Sequence, residues 1–269
     1  MLKARFTLII LVLILSLQYV SAQSPYHLNG NRELSYLATS LGIGLTAMYI
    51  NSEVEPLTQA EVNALRPGDV FSFDRRATSY NSQAARALSD HLQTASVILP
   101  LSFLIPKKTR KDFHIIGTMA LEVMSLNLGV TGIFKGSVQR LRPFVYNENV
   151  PNEEKLTKNA KKSFFSGHTS HFAAMSFFAA KVISDYSDNK AVKITAWTVA
   201  AGTSGLMGYL RVRGGKHFTS DVVLGYLVGG AIGYLIPELH KNKKERKLSI
   251  IPSASWNNIG VNLRWKLAG

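Results

Sequence analysis

Three short stretches of this chain hold the side chains best suited to chemistry. They are KGSVQRLRP from Lys135 to Pro143, SGH from Ser166 to His168, and RVRGGKHFTSD from Arg211 to Asp221. Lys135 and Arg142 are seven apart, two helical turns, so one face can present both to a single anion. Arg offers a planar fork that fits oxyanions, and Lys a point charge. Pro143 then ends the helix. Ser166-Gly167-His168 precedes an apolar run. A helix N-terminus there leaves amides unpaired and carries partial positive charge, and Gly167 lets the backbone approach a ligand. His168 can protonate a leaving oxygen. His217 and Asp221 are four apart, one helical turn. Asp221 can accept the proton on one ring nitrogen of His217, which leaves the other bare as a nucleophile. Thr219 or Ser220 can cap that helix. Each stretch alone has a plainer explanation: a basic segment flanking an apolar one, an ordinary N-cap turn, a structural His–Asp contact. In this order and on one side of the apolar segments, they make an anion pocket with a nucleophile, an acid and an orienting carboxylate.

The ordered set resembles the signature of the type 2 phosphatidic acid phosphatase and vanadium haloperoxidase superfamily. It spans 135–221, about a third of the chain. The resemblance implies an all-α helical bundle and a phosphatase that hydrolyses a phosphomonoester or pyrophosphate, here of a membrane lipid. It implies that His217 attacks phosphorus to give a phosphohistidine, that Asp221 orients His217, and that His168 protonates the departing alkoxide and then activates water. Lys135, Arg142 and Arg211, with Ser166 and Gly167, would hold the phosphoryl oxygens as charge develops. No metal or other cofactor is expected, since the cations supply the charge. The chain departs from the family pattern at Phe165, where Pro is usual, and at Leu210, where Ser is usual. The first bears on loop rigidity and the second on one phosphate contact. His171, one turn after His168, reads as a support to it, and His114 as structural.

Other readings compete. A soluble periplasmic acid phosphatase of the same superfamily would act on small phosphoesters. A vanadium haloperoxidase would hold vanadate in the same pocket, though its soluble examples are usually much larger. A non-enzymatic metal-binding helical protein would use His168 with His171, and His217 with Asp221. That leaves three cations unexplained beside a metal.

The 269 residues allow one domain of ordinary to large size, and 46% hydrophobic against 18% charged residues can build a large core. The net charge of +14 and pI near 9.9 suit anionic partners. No nucleic-acid module is visible. There is no cysteine, which excludes disulfides and thiolate metal sites. Lys3 and Arg5, the apolar run Phe6 to Leu17, and Val20-Ser21-Ala22 read as a signal peptide over 1–22, with an uncleaved anchor as the alternative.

The helical phosphatase domain is then expected over 23–247. Six apolar segments, Leu34–Ile50, Thr94–Pro106, Phe113–Phe134, Phe172–Ser184, Ile194–Leu210 and Val222–Ile236, read as helices from their Ala and Leu content. Residues 51–92 are polar and predict short amphipathic helices, and Pro237 stops the sixth segment. Gly225, Gly229 and Gly233 line one face of that segment, so another helix can pack very close. The tail over 248–269 reads as a small β-hairpin with Asn257-Asn258-Ile259-Gly260 at its turn.

A mean hydropathy of +0.06 is low for a chain lying mostly in lipid. Only the first, third and fifth segments approach the length of a span. His114, Glu122 and Asn127 in the third must face the bundle interior. Basic runs at 107–111 and 241–247 predict cytoplasmic loops, which puts the three motifs outside. An exported N-terminus followed by three full spans puts Lys135 inside. The conflict goes if Leu34–Ile50 does not span, or if nothing does. The expectation is an inner-membrane protein with its site facing the periplasm and an anionic lipid phosphate as substrate. The alternative is a soluble periplasmic protein.

Overall fold

A computed structural model describes residues 24–242, 248–255 and 258–265. The segment 1–22 expected to be a signal peptide lies outside the described residues. Six long helices form the bundle: α1 Gly30–Ser52, α2 Gln83–Ile98, α3 Phe113–Val138, α4 Gly167–Tyr186, α5 Lys190–Arg213 and α6 Thr219–His240. The tail adds an antiparallel pair, β1 Leu248–Ser255 and β2 Asn258–Trp265, with Ser255 opposite Asn258. The expected hairpin is present, but Asn258 to Gly260 belong to its second strand rather than to its turn.

The second apolar segment does not form one α-helix. Regular α-helix starts earlier, at Gln83, where the Ser82 side chain accepts the Ala85 N–H at 3.2 Å. It gives way to a 3₁₀ turn over Leu99–Leu104, since Pro100 cannot donate into the α ladder. The polar stretch before it holds the expected short helices, Gln59–Ala64 and Ser72–Arg75, with 3₁₀ turns between and after them. Pro237 does not stop α6, which runs on to His240. Side chains on the last turn hold it in place. Buried Glu238 pairs with Lys181 at 2.9 Å, and buried His240 lies 3.1 Å from Glu33 and 3.2 Å from Glu122.

Glycine decides which helices touch. A Cβ on Gly225, Gly229 or Gly233 would fall 2.6, 2.0 or 2.2 Å from the carbonyl oxygens of Ser166, Ser170 and Ala174, so α6 lies backbone-to-backbone along α4. Gly129, Gly132 and Gly136 make room instead for side chains of α1, those of Ile43, Ala47 and Ile50, which they meet in register. Helix α1 therefore runs parallel to α3 over most of its length, and cannot stay short of a membrane that α3 crosses. The main core lies between α3 and α4, around Ile116, Met119, Val123, Met175, Phe178 and Val182. Glu122 and Asn127 face inward as their cost in lipid requires, with Asn127 Oδ1 accepting the Ser170 hydroxyl at 2.6 Å.

The outside is apolar. Leu34, Leu37, Leu41, Leu45 and Met48 form one exposed stripe on α1. Leu121 and Leu128 on α3, Ile194, Val199 and Leu206 on α5, and Val223 and Leu227 on α6 are also exposed. Phe113–Tyr146 and Thr219–His240 are long and apolar enough to cross a membrane.

Candidate active site

All three motifs meet at one end of the bundle. Lys135 sits in the last turn of α3, and its Nζ donates to the Lys162 carbonyl at 3.1 Å. The helix stops at Val138 because Gln139 takes a left-handed conformation, φ 46°. Arg142 thus lies beyond the helix, and the two cations do not share a helical face as their spacing suggested. Pro143 opens a short 3₁₀ turn instead of ending the helix. The chain is drawn out of the helix by Arg140, whose guanidinium bridges Asp74 at 2.7 Å and Asp221 at 2.5 Å.

Arg142 is 5% exposed. Its donors go to the Asn159 carbonyl at 2.9 Å, the Asn159 side chain at 3.0 Å and the Lys216 carbonyl at 3.1 Å. Every one of these acceptors is neutral. Neither Arg142 nor Lys135 has a carboxylate within ion-pairing distance among the described residues. Arg211 is equally buried and its Nε has no hydrogen-bond partner, while its Nη1 reaches Ser89 at 2.9 Å and Asp90 at 3.0 Å. A buried cation without a counter-charge is costly. Lys135 and Arg142 thus leave positive charge in the pocket that no neighbouring carboxylate pairs among the described residues.

Ser166 caps α4, accepting the Thr169 N–H at 3.4 Å, and its own N–H donates to the Asp221 carbonyl at 3.0 Å. A Cβ on Gly167 would press on Lys135 Cε at 3.2 Å, so the glycine brings the first amides of α4 against the α3 cation. Phe165 anchors the loop by packing its fully buried ring on Phe134, centroids 5.4 Å apart, in the position where Pro is usual. Leu210 is buried apolar surface.

His217 is fully buried. Its Nδ1 lies 2.8 Å from the Ser163 carbonyl. A carbonyl only accepts, so Nδ1 carries the proton and Nε2 is bare, 3.4 Å from Arg142 Nη1. Asp221 does not take that proton directly, because its Oδ2 stands 3.8 Å from Nδ1. The carboxylate is already engaged by the Ser163 hydroxyl at 2.5 Å, the Phe218 N–H at 2.9 Å and Arg140. Asp221 thus ties the segment before α4, whose Ser163 carbonyl accepts from the imidazole, to the Phe218 amide next to His217. Neither Thr219 nor Ser220 is the N-cap of α6; Phe218 is, and Asp221 satisfies its amide. Burial, then Arg142, Lys135 and Arg211, hold the imidazolium of His217 well below the ordinary histidine range, so the ring is neutral.

His168 stands in the first turn of α4 at the open edge, its side chain 34% exposed, with Nε2 3.0 Å from Asp90. His171 is buried with both ring nitrogens unpaired, and makes no hydrogen bond to His168. His114 is half-buried at the start of α3, at the end of the bundle away from the pocket. The described residues that could share a metal, Glu33, Glu122 and His240, also lie away from the pocket. The ligand sets that a metal-binding reading drew from His168, His171, His217 and Asp221 do not converge. Four participants were missed in the sequence: Asp74, Asp90, Arg140 and Ser163. Arg140 lay inside the first motif, and its charge was the one available signal. The others sit in polar stretches without periodicity.

Residues 116–245 match the PAP2 superfamily. A lipid A 4'-phosphatase of Porphyromonas gingivalis is 26% identical over 182 residues, 64% of this chain and 73% of that protein. Two crystal structures are similar in part. Aquifex aeolicus LpxE is 22% identical, over 62% of this chain and 95% of its own, with a TM-score of 0.42. The first transmembrane PAP2-type phosphatidylglycerolphosphate phosphatase from Bacillus subtilis is 19% identical, over 73% of this chain and 93% of its own, with a TM-score of 0.46. Since the matched stretch contains all three motifs of the pocket, the chain belongs to the PAP2 superfamily.

Proposed function

We propose that this protein is a membrane phosphatase that removes a phosphoryl group from an anionic lipid through a phosphohistidine on His217. One observation carries the reading: Arg142 and Arg211 are buried around the bare Nε2 of His217 with too few anionic partners, and a phosphate completes them. Nε2 attacks phosphorus in line. Burial and Arg211 push His168 down to about 3, so its proton must come with the bound phosphate, whose charge offsets the cations; as the P–O bond to the lipid breaks, His168 gives that proton to the departing alkoxide. Neutral His168 then takes a proton from water, whose oxygen attacks the phosphohistidine, and orthophosphate leaves. Lys135, Arg142, Arg211 and the amides at Ser166 and Gly167 face the charge that grows on the equatorial oxygens. The apolar outer faces of α1, α3, α5 and α6 support a bilayer location. The kinship with a lipid A 4'-phosphatase supports a lipid substrate.

The test is a rapid alkaline quench with lipid labelled in its phosphate. Wild type should retain label on protein, and His217→Ala should retain none and lose at least about a thousandfold in turnover. A folded His217→Ala protein with near-normal phosphate release ends the assignment.

We place the pocket on the periplasmic side because the basic run at 107–111 and Lys241 lie at the opposite end. Tyr26 bridges to Lys241 at that same far end. If all six helices cross, a cleaved export signal and a periplasmic pocket exclude each other. A single cysteine in 144–163 of this cysteine-free chain should react with an impermeant thiol reagent in intact spheroplasts, and one in 241–247 only after lysis. The reverse pattern puts the pocket inside, and release of the protein without detergent supports the soluble alternative.

A further inference from the structure

Buried charge also gathers at the end of the bundle away from the pocket. Glu33 on α1, Glu122 on α3 and His240 on α6 are each nine-tenths or more buried. One side-chain atom from each lies within 4.8 Å of the other two. His240 Nδ1 is 2.8 Å from the Ile236 carbonyl, which only accepts, so that nitrogen carries a proton. Nε2 then faces two carboxylate oxygens, Glu33 Oε2 at 3.1 Å and Glu122 Oε2 at 3.2 Å. The Tyr36 ring packs on the same imidazole, centroids 6.0 Å apart.

The two carboxylates are not equally provided for. Glu33 Oε1 accepts the Asn29 amide at 2.8 Å and Arg32 Nη2 at 2.7 Å, which leaves Oε2 turned toward His240. Arg32 is itself held by the carbonyls of His27 and Leu239. Glu122 Oε2 is buried and forms no hydrogen bond among the described residues, and no Lys or Arg among them lies within ion-pairing distance of Glu122. A proton on Nε2 can point at only one of the two oxygens, and the geometry gives it to Glu33. A carboxylate left over at this depth is costly. A divalent ion serves both oxygens and a bare Nε2 at once. Ligand atoms about 2.1 Å from one ion stand about 3.2 Å apart when they subtend roughly 100° at it. That is the spacing of Nε2 from each oxygen. The supports are those a metal site needs: the other imidazole nitrogen donates to a backbone carbonyl, and one carboxylate is braced by an amide and a guanidinium.

We propose that Glu33 Oε2, Glu122 Oε2 and His240 Nε2 bind one divalent transition-metal ion, which pins α1, α3 and α6 together. An imidazole nitrogen with two oxygens suits zinc better than magnesium, which favours all-oxygen sites. The ion is structural. His240 is 19 positions along α6 from Asp221, about 28 Å, so it takes no part in phosphoryl transfer. The site does not depend on the phosphatase reading.

The probe is zinc on tag-free protein in detergent, stripped with chelator. Reloaded and desalted wild type should hold one zinc per chain by plasma mass spectrometry, and Glu122→Gln and His240→Gln at least fivefold less. Zinc at a hundred times its Kd should raise the melting temperature of stripped wild type by about 5 °C or more, and magnesium should not. Cobalt should give visible absorption bands in wild type that both variants lose. If Glu122→Gln does not fold, Glu33→Gln makes the same comparison. Stripped protein held below its melting temperature should release phosphate as fast as loaded protein. Equal zinc in wild type and folded variants, or equal stabilisation of both, overturns the site and leaves an imidazolium between two carboxylates. Phosphate release lost from folded, stripped protein and restored by zinc would put the ion in the pocket and overturn it as well.

Discussion

Replacing Arg142 by Gln separates what the pocket does for catalysis from what it does for the fold. The guanidinium stands 3.4 Å from His217 Nε2, so a phosphoryl oxygen bound there would lie about 4 Å from its charge. At an effective dielectric near 20 that attraction is about 4 kcal/mol. A loss of that size is a factor of about 10³ in kcat/KM. The fold should respond differently. The shorter amide side chain would forgo bonds to the Asn159 and Lys216 carbonyls, a loss of about 1–3 kcal/mol. The substitution would also remove a buried charge whose protein partners are all neutral, a gain of similar size. The melting temperature without anion should therefore stay close to wild type. Orthovanadate at a hundred times its Kd should stabilise wild type by about 2.7 kcal/mol and Arg142→Gln hardly at all. The assay is phosphate release in mixed micelles, paired with thermal unfolding with and without vanadate. Activity within tenfold of wild type, or full vanadate stabilisation of Arg142→Gln, refutes the claim that Arg142 is held for the anion.

Phosphate release should persist in a chelator and be inhibited by vanadate; activity lost in EDTA and restored by zinc or magnesium would show metal chemistry. The depressed value of His217 sets the pH behaviour. Below about pH 6.5 the unfolded chain binds a proton that native His217 refuses, so stability should fall as pH drops through that value. The acid limb of kcat/KM from the nucleophile should lie below about 6.5, and an acid limb at or above that value that His217 alone explains would contradict its environment. Gly229→Ala puts a Cβ 2.0 Å from a backbone oxygen and should destabilise by about 1–3 kcal/mol or more. Gly202→Ala on α5 meets nothing within 4 Å and should stabilise by about 1 kcal/mol, both read by thermal unfolding.

Much of this site was legible before its geometry. The order Lys135, Arg142, His168, Arg211, His217, Asp221 named residues that the fold gathers at one end of the bundle, and the four-residue glycine spacing announced the α4–α6 seam. What failed was local. Seven residues looked like two helical turns, but nothing in QRLRP shows that Gln139 turns left-handed so that Arg140 can reach two carboxylates. A four-residue His–Asp spacing looked like a hydrogen bond. Yet the ring nitrogen goes to Ser163, 54 positions away, in a loop that has no pattern. Asp90 was hidden because helix α2 begins in a polar stretch and exposes that face. The helix-breaking propensity of Pro237 is outweighed by the ion pairs of Glu238 and His240.

The glycine seam also limits how the enzyme can move. Helices α4 and α6 touch through backbone atoms at three successive turns, so neither can slide or rotate against the other without steric collision. His168 stands at the head of one, and Asp221 at the head of the other. Their separation is thus a constant of the molecule. Any breathing that admits a bulky headgroup must come from the opposite rim, where the Asp90 carboxylate is held by the side chains of His168 and Arg211. Turnover limited by such a motion would respond to substitutions at 53–90 and be indifferent to the seam.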